Sequence, residues 1–161
     1  MKSVNIKFVL IVLVMPLLFA GCASNEQYVH YPDQNKVVED PGKGRIYVIR
    51  PKLAGMGITP QISDDGASIG NTCPRGFLCW ERAPGIATIS GKTDTTSEVT
   101  VEVKAGGVSY IFQTIEFGWT STDNRLDVVS EQAGKEALTH CKPPVCYPPA
   151  NVVTNAAAAI K

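Results

Sequence analysis

The chain has 161 residues, and its 15 Lys and Arg side chains balance its 15 Asp and Glu side chains, so the formal net charge at pH 7 is +0. A nucleic-acid-binding domain usually has a basic surface, and this balance argues against that class of partner. Gly, Pro, Thr, Ser and Val are frequent, and long runs of apolar residues at helical spacing are absent. Such a composition indicates β structure with many turns.

The first 21 residues have the layout of a secretory signal peptide. Lys2 and Lys7 give a positive start, an almost wholly apolar run covers 8–20, and Cys22 follows shortly after it. The run of about 13 residues is too short for a membrane-spanning helix, which needs about 20, and Pro16 interrupts it. The sequence therefore predicts an exported protein.

The Phe-Ala-Gly-Cys sequence that ends at Cys22 resembles the lipobox of bacterial lipoproteins. The resemblance implies that 1–21 is removed and that Cys22 is acylated and anchors the chain in a lipid bilayer. Phe19 stands where Leu is usual, a departure that bears on processing efficiency rather than on export. Ala23 and Ser24 differ from the Asp that retains such proteins in the inner membrane of many enteric-type bacteria. The periplasmic face of the outer membrane is therefore expected, ahead of the inner membrane or the cell surface.

Removal of the signal peptide leaves about 140 residues, which suits one domain with flexible ends. The remaining chain is slightly acidic, because the signal peptide contains two lysines and no acids. Residues 22–43 are polar without a sustained period, which predicts a flexible tether, and His30 within it is expected to be solvated rather than a metal ligand. Residues 143–161 are rich in Pro and Ala and are expected to form a mobile tail.

The folded domain is expected at 44–142, where seven or so short apolar runs alternate with turn signals. This spacing predicts an antiparallel β-sandwich. The clearest strand is 98–104, in which Val101 and its two valine neighbours alternate with polar residues, so one face should be buried. The run 108–117 is apolar on both faces, which predicts a central strand or a strand broken by a bulge. The expected strands are 45–50, 61–63, 67–70, 77–82, 86–90, 98–104, 108–117 and 125–129.

A short helix is predicted after the last strand. Ser130 is a suitable N-cap, and Glu131 places an acid in the first turn, where it favours the helix dipole. The helix should end at about His140, before two prolines. Its weak apolar face consists of Ala133, Ala137, Leu138 and Cys141.

The order of four motifs resembles DUF2846, a family of bacterial lipoproteins and secreted domains of unknown function. The resemblance covers 44–142. It implies a sandwich of the transthyretin-like or carbohydrate-binding-like type and transfers no catalytic residues. The pair Cys73 and Cys79 and the residues after Lys142 lie outside the pattern. The motifs are an opening strand at 44–51, a Pro-Gly turn and strand at 83–90, an Ala-Gly turn and Tyr strand at 104–111, and a closing helix at 131–138.

Four cysteines remain after Cys22, an even number in a chain expected to enter an oxidising compartment. They allow three pairings. The local pairing is favoured, Cys73 with Cys79 and Cys141 with Cys146, because turns between the partners can bring them together. Each short loop would contribute about 2–3 kcal/mol. A cross-link from the helix end to the Cys73 turn, buried free thiols and a redox-active pair are the alternatives.

No motif for catalysis or metal binding stands out. Asp64 and Asp65 could bind a cation, but an Asp-Asp-Gly sequence is also an ordinary turn. His140 near Cys141 and Cys146 fits no strong zinc pattern. No nucleophile-elbow motif is present either. We therefore expect no bound metal, no cofactor and no enzymatic activity.

Two functions are expected from different classes. The first is a membrane-tethered, non-catalytic module that binds or structurally supports a protein or peptidoglycan partner in the envelope. The second is a glycan-binding module that stacks sugars on aromatic side chains. Trp119 is its best candidate because it lies in the loop 118–124, whereas Trp80, Tyr47 and Tyr110 lie in expected strands, where aromatic residues more often belong to the core.

Overall fold

The computed structural model of the protein describes residues 24–117 and 121–146. In these ranges the chain folds as a β-sandwich of two sheets with one short helix, and the predicted fold class is confirmed. The predicted signal peptide, Cys22, Trp119 and the tail from residue 147 onward lie outside the described residues. No helix in the described ranges is long and apolar enough to cross a bilayer.

The two sheets together contain ten described strands. The first sheet has the strand order β10-β1-β4-β3-β6-β7, and the second has the order β5-β2-β8-β9. The elements are β1 (Glu26–Gln27), β2 (Gly44–Arg50), β3 (Gln61–Asp64), β4 (Ala67–Asn71), β5 (Gly76–Arg82), β6 (Gly85–Lys92), β7 (Thr96–Val103), β8 (Val108–Phe117), β9 (Thr122–Val129), α1 (Glu131–Leu138) and β10 (Val145–Cys146).

Both sheets are mixed, whereas the sequence predicted antiparallel pairing throughout. β2 pairs in parallel with β8, and β1 pairs in parallel with β10. The chain visits the first sheet between β2 and β8, and a crossover of this kind is what parallel neighbours require. β8 lies between β2 and β9, and both of its faces are apolar because Ile111 joins the core between the sheets while Tyr110 and Phe112 belong to a second apolar cluster on the other face.

The space between the sheets is filled by alternate side chains of both. In β7, Val101 and Val103 are 7% and 3% exposed, whereas Thr100 and Glu102 point to solvent. The predicted facing of this strand is therefore confirmed. The other members of this core are Ile46, Val48, Ile62, Ile69, Leu78, Trp80, Ala87, Ile89, Ile111 and Leu126.

A second apolar cluster covers the outer face of the second sheet, beneath α1. Gly134 of the helix packs on the ring of Tyr110, and a Cβ at Gly134 would lie 2.3 Å from that ring. The predicted N-cap is confirmed, because the Ser130 side chain accepts from the amide of Ala133. The cluster consists of Tyr47, Ile49, Phe77, Cys79 and Tyr110, and Tyr31, Leu138 and Cys141 pack against it.

The segment before β2 is part of the domain, which corrects the prediction of a flexible tether at 22–43. β1 pairs with β4, and Gln27 is fully buried. The side-chain amide of Gln27 accepts from the backbone N–H of Cys79 at 2.9 Å and donates to the backbone carbonyl of the same residue at 2.7 Å. Polar residues are needed here because backbone groups on the edge of β5 would otherwise be buried without partners. The folded part therefore begins by Asn25 rather than at Gly44.

The predicted tail begins inside the fold as well. Val145 and Cys146 form β10, which pairs with β1. The amide of Val145 donates to the carbonyl of Asn25 at 2.8 Å. Lys142 forms a parallel bridge with Gly76, so the chain between α1 and β10 follows the edge of β5. These contacts place at least the first four residues of the predicted tail, 143–146, against the sandwich.

Candidate functional site

A cleft of about 490 Å³ is a candidate site in the described part of the chain. It lies where the N-terminal segment meets the beginning of β2 and the ends of β3 and β5. Its wall carries acidic and basic side chains beside apolar ones. The lining includes Val29, His30, Glu39, Lys43, Asp64, Trp80, Glu81 and Arg82.

A buried ion pair underlies this cleft. Arg45 Nη2 lies 2.8 Å from Glu81 Oε1, and the two side chains are only 1% and 7% exposed. The guanidinium also donates to the carbonyls of Lys36 and Asp33, both at 2.9 Å. Buried charges require this degree of pairing. Arg45 thus fixes the segment 33–40 over the beginning of β2.

Glu81 is held from the other side by the same segment. Its two carboxylate oxygens accept from the amides of Glu39 at 2.6 Å and Asp40 at 3.0 Å. Burial alone would raise the pKa of Glu81, but these two hydrogen bonds and the Arg45 guanidinium outweigh it and lower the pKa. The side chain therefore stays ionised at neutral pH and acts as a structural acceptor.

The Asp64-Asp65 pair, a candidate cation site from the sequence, binds a side chain of the protein. Arg82 lies between the two carboxylates and contacts both. Asp64 also accepts from the indole of Trp80 at 2.8 Å. Hydrogen bonds from the amide of Thr88 and from Arg82 lower the pKa of Asp65. In the described ranges no three His, Cys, Asp or Glu side chains converge as a metal site.

The rim of the cleft carries the more accessible polar groups. His30 Nε2 lies 2.8 Å from Glu39 Oε2, with the His30 side chain 76% exposed. The hydrogen bond from His30 lowers the pKa of Glu39. Lys43 pairs with Asp40 at 3.6 Å. His30 and Lys43 are thus more exposed than Arg82, which is paired with Asp64 and Asp65.

The aromatic residues predicted to contact a glycan are mostly core residues. Trp80 is 3% exposed, so its ring offers no face for stacking, and its predicted glycan contact is corrected. Tyr47 and Tyr110 stack on each other at 5.4 Å, nearly parallel, beneath α1. Burial raises the pKa of both hydroxyls. A glycan-binding role would rest on Trp119, which lies outside the described residues.

The four cysteines of the domain are all free thiols in the structure, so neither predicted local disulfide is present. The Cys79 thiol points into the second cluster, near the side-chain amide of Gln34. The backbone N–H of Cys73 instead donates to the side-chain oxygen of Asn25 at 2.6 Å. The extended course of β5 carries Cys79 away from the turn that contains Cys73. Burial raises the pKa of Cys79 to about 11.

Cys141, just after the helix, is partly buried and packs against the second apolar cluster. Burial is the main cause that raises the pKa of Cys141, and the Cys73 thiol adds to it while Arg75 opposes it. The adjacent Lys142 forms backbone hydrogen bonds with Arg75 and Phe77. These hydrogen bonds place the backbone after Cys141 beside the turn that contains Cys73, and the cross-link from the helix end to this turn stays an alternative. Cys146 is exposed in β10.

Several buried polar residues that hold the domain together, and Arg45 beneath the cleft, were not predicted from the sequence. Asn25 and Gln27 lie in a polar stretch without periodicity, so nothing marked them as buried. Arg45 and Arg50 flank the apolar centre of β2, and charges at strand ends are usually solvated. The one available signal was their position, because both arginines directly border a run of β-branched and aromatic residues.

Comparisons with protein-family models, with curated proteins and with solved structures found no match to this chain.

Proposed function

We propose that the protein is a lipid-anchored, non-catalytic module of the bacterial envelope that binds or structurally supports another envelope component. The observation that carries this proposal is the N-terminal sequence, in which a positive start and an apolar run lead to Cys22. Ala23 and Ser24 after the cysteine favour the periplasmic face of the outer membrane. Kinship with DUF2846 is part of the same proposal and rests on the four motifs between residues 44 and 138.

The hydrogen bonding of three carboxylates in and beside the cleft supports a non-catalytic role. A general acid or base must be able to exchange a proton with a substrate. Asp64, Asp65 and Glu81 instead each accept from two or more protein donors. They stabilise the cleft wall and leave its rim for recognition. The partners proposed are the bilayer, through acylated Cys22, and a protein or peptidoglycan at the cleft.

The anchor is tested by metabolic labelling with palmitate. Cys22→Ser should abolish incorporation, because the thiol that accepts the lipid is gone. Cys146→Ser is the matched control, since it removes an exposed thiol of the folded domain and should leave labelling unchanged. Label retained by Cys22→Ser would show that the lipobox interpretation is wrong.

The partner is tested by two assays on the acylated protein. Cross-linking followed by pull-down should capture an envelope protein if the cleft binds protein. Sedimentation with purified peptidoglycan should instead recover the chain if it binds glycan. Sedimentation that is lost in Trp119→Ala would replace the first function with the glycan-binding one.

A further inference from the structure

The chain becomes buried within a few residues of Cys22. Asn25 lies three positions after Cys22 and is only 3% exposed. Its side chain accepts from the amide of Cys73 at 2.6 Å and donates to the carbonyl of Lys142 at 3.0 Å. Three residues span at most about 11 Å when fully extended. A lipid on Cys22 therefore has to lie close to this part of the sandwich.

The strands around Asn25 begin or end at the same end of the molecule. Glu26, the first residue of β1, lies opposite Asn71, the last residue of β4. Arg50 at the end of β2 lies opposite Gly76 at the beginning of β5. Three of the segments at this end, 51–60, 72–75 and 142–144, are together called the anchor end.

The loop 51–60 holds apolar side chains at the surface of the anchor end. The Arg50 guanidinium, 1% exposed, donates to three carbonyls of this loop at 2.7–2.8 Å and so fixes its shape. Leu53 and Met56 are nevertheless 50% and 76% exposed. The two side chains lie three positions apart on a loop whose shape is fixed, so both are available for contact with an apolar partner.

The charged side chains of the three segments are all basic. Lys52, Arg75 and Lys142 are exposed there, and the three segments contain no Asp or Glu. Anionic lipid headgroups attract basic side chains near the membrane surface. The acids at the same end of the sandwich lie on other segments and are Glu26, Asp94, Glu116 and Asp123.

We propose that the anchor end docks on the surface of an anionic lipid bilayer. Leu53 and Met56 enter the headgroup region, while Lys52, Arg75 and Lys142 contact lipid phosphates. This inference rests on the proposed acylation of Cys22. The lipid keeps the domain at the membrane, and the short connection raises the effective concentration of the anchor end there.

Docking in this orientation leaves the cleft facing away from the membrane. Gly44 and Arg82 are opposite each other at the far ends of β2 and β5. Asp64 and Ala67, which also line the cleft, close the β3–β4 hairpin at that same far end. The rim groups of the cleft are then presented to partners in the aqueous compartment.

The test uses tryptophan fluorescence of the acylated protein in vesicles of phosphatidylglycerol and phosphatidylcholine with brominated acyl chains. In Met56→Trp the added indole should be quenched about twofold and its emission should shift to the blue, because it enters the lipid. Ile86→Trp is the matched control, since Ile86 is 64% exposed and lies opposite Glu102, near the far end. Its added indole should be unaffected.

Charge is tested in the same vesicles. Lys52→Glu combined with Arg75→Glu should reduce the quenching of Met56→Trp at low salt, because repulsion from phosphate replaces attraction. Lys104→Glu is the control, because Lys104 is an exposed residue that follows the end of β7 at the far end. It should leave the quenching of Met56→Trp unchanged. If Met56→Trp is quenched equally without charge changes, with Lys52→Glu and Arg75→Glu, and with Lys104→Glu, the electrostatic part of the docking is overturned.

Mass spectrometry of the purified protein separates the two levels of the proposal. An unmodified Cys22 would overturn both the proposed anchor and the docking. An acylated Cys22 with an unquenched Met56→Trp would overturn the docking alone. A blue shift of Met56→Trp in native envelope membranes but not in lipid vesicles would also overturn it, because a protein would then occupy the anchor end.

Discussion

At the scale of single residues, two buried arginines at the ends of β2 organise the polypeptide around them. Arg45 binds Glu81 and two carbonyls of the segment 33–40, and Arg50 binds carbonyls of the loop 51–60. Desolvation lowers the pKa of Arg50, which has no carboxylate among its hydrogen-bond partners in the described ranges. By donating to backbone carbonyls, the two arginines hold the irregular segments 33–40 and 51–60 in fixed positions on the surface.

Glu81→Gln should lower the free energy of unfolding at pH 7 by about 3 kcal/mol, because it leaves the buried Arg45 charge uncompensated. The folded pKa of Glu81 lies below its ordinary value, so its ionised form stabilises the folded state. This contribution is fully present above the unfolded pKa of about 4.3 and is lost as pH falls through the lower folded pKa. Urea unfolding of both chains should therefore show a constant difference at neutral pH that shrinks in acid.

Glu116→Gln provides the control for this measurement. Glu116 also faces an arginine, Arg125, but at 3.9 Å and with both side chains 62% exposed. Exposed pairs of this kind contribute about 0–1 kcal/mol, so the variant should unfold almost like the unmodified protein. Similar losses for the two glutamine variants would show that the burial of the Arg45–Glu81 pair has no energetic consequence.

At the scale of elements, the alternation of β7 gives a direct test of which face is buried. Val101→Asp would place a charge between the sheets at a position that is 7% exposed and should cost several kcal/mol, a large fraction of the stability of a typical domain. Thr100→Asp, one residue away on the exposed face, should cost less than about 0.5 kcal/mol. Thermal unfolding compares the two, and equal melting temperatures would contradict the assigned facing.

The same strand shows why much of the fold could be predicted from the sequence. β7 and the N-cap Ser130 follow local rules, a period of two and a capping side chain, that depend on neighbouring residues only. β1 does not, because Glu26–Gln27 is polar and too short to show a period. Its burial depends on Asn71 and Cys79, which are more than forty positions away, and no local pattern encodes such a partner.

The candidate site was less predictable than the fold for a related reason. The Asp64-Asp65-Gly66 turn was recognised, but its binding of Arg82 and Trp80 required knowledge of the β3–β5 arrangement. The residues around Trp80 in the sequence do not indicate whether its ring faces the core or the solvent. Only the packing of the two sheets decides this, and it removes Trp80 from the glycan candidates.

At the scale of the whole molecule, the N-terminal segment joins the two sheets. Through β1 it extends the first sheet, and through the Gln27 amide it satisfies the edge of β5 in the second sheet. Asn25 adds a link between the Cys73 turn and Lys142. The domain therefore depends on the residues directly after Cys22.

A chain that begins at Lys43 should consequently be much less stable than one that begins at Cys22. It loses the partners of Arg45 in the segment 33–40, and it exposes the Cys79 backbone groups at the edge of β5. A loss of about 3 kcal/mol in a domain of this size corresponds to a fall of about 10 °C or more in melting temperature. Gln27→Leu in the longer chain should reproduce part of this fall, since it leaves the same backbone groups unsatisfied. Gln61→Leu, which removes an exposed amide that donates to the Ser68 hydroxyl, should not. If the chain from Lys43 melts at the temperature of the longer chain, the segment before β2 is a tether after all.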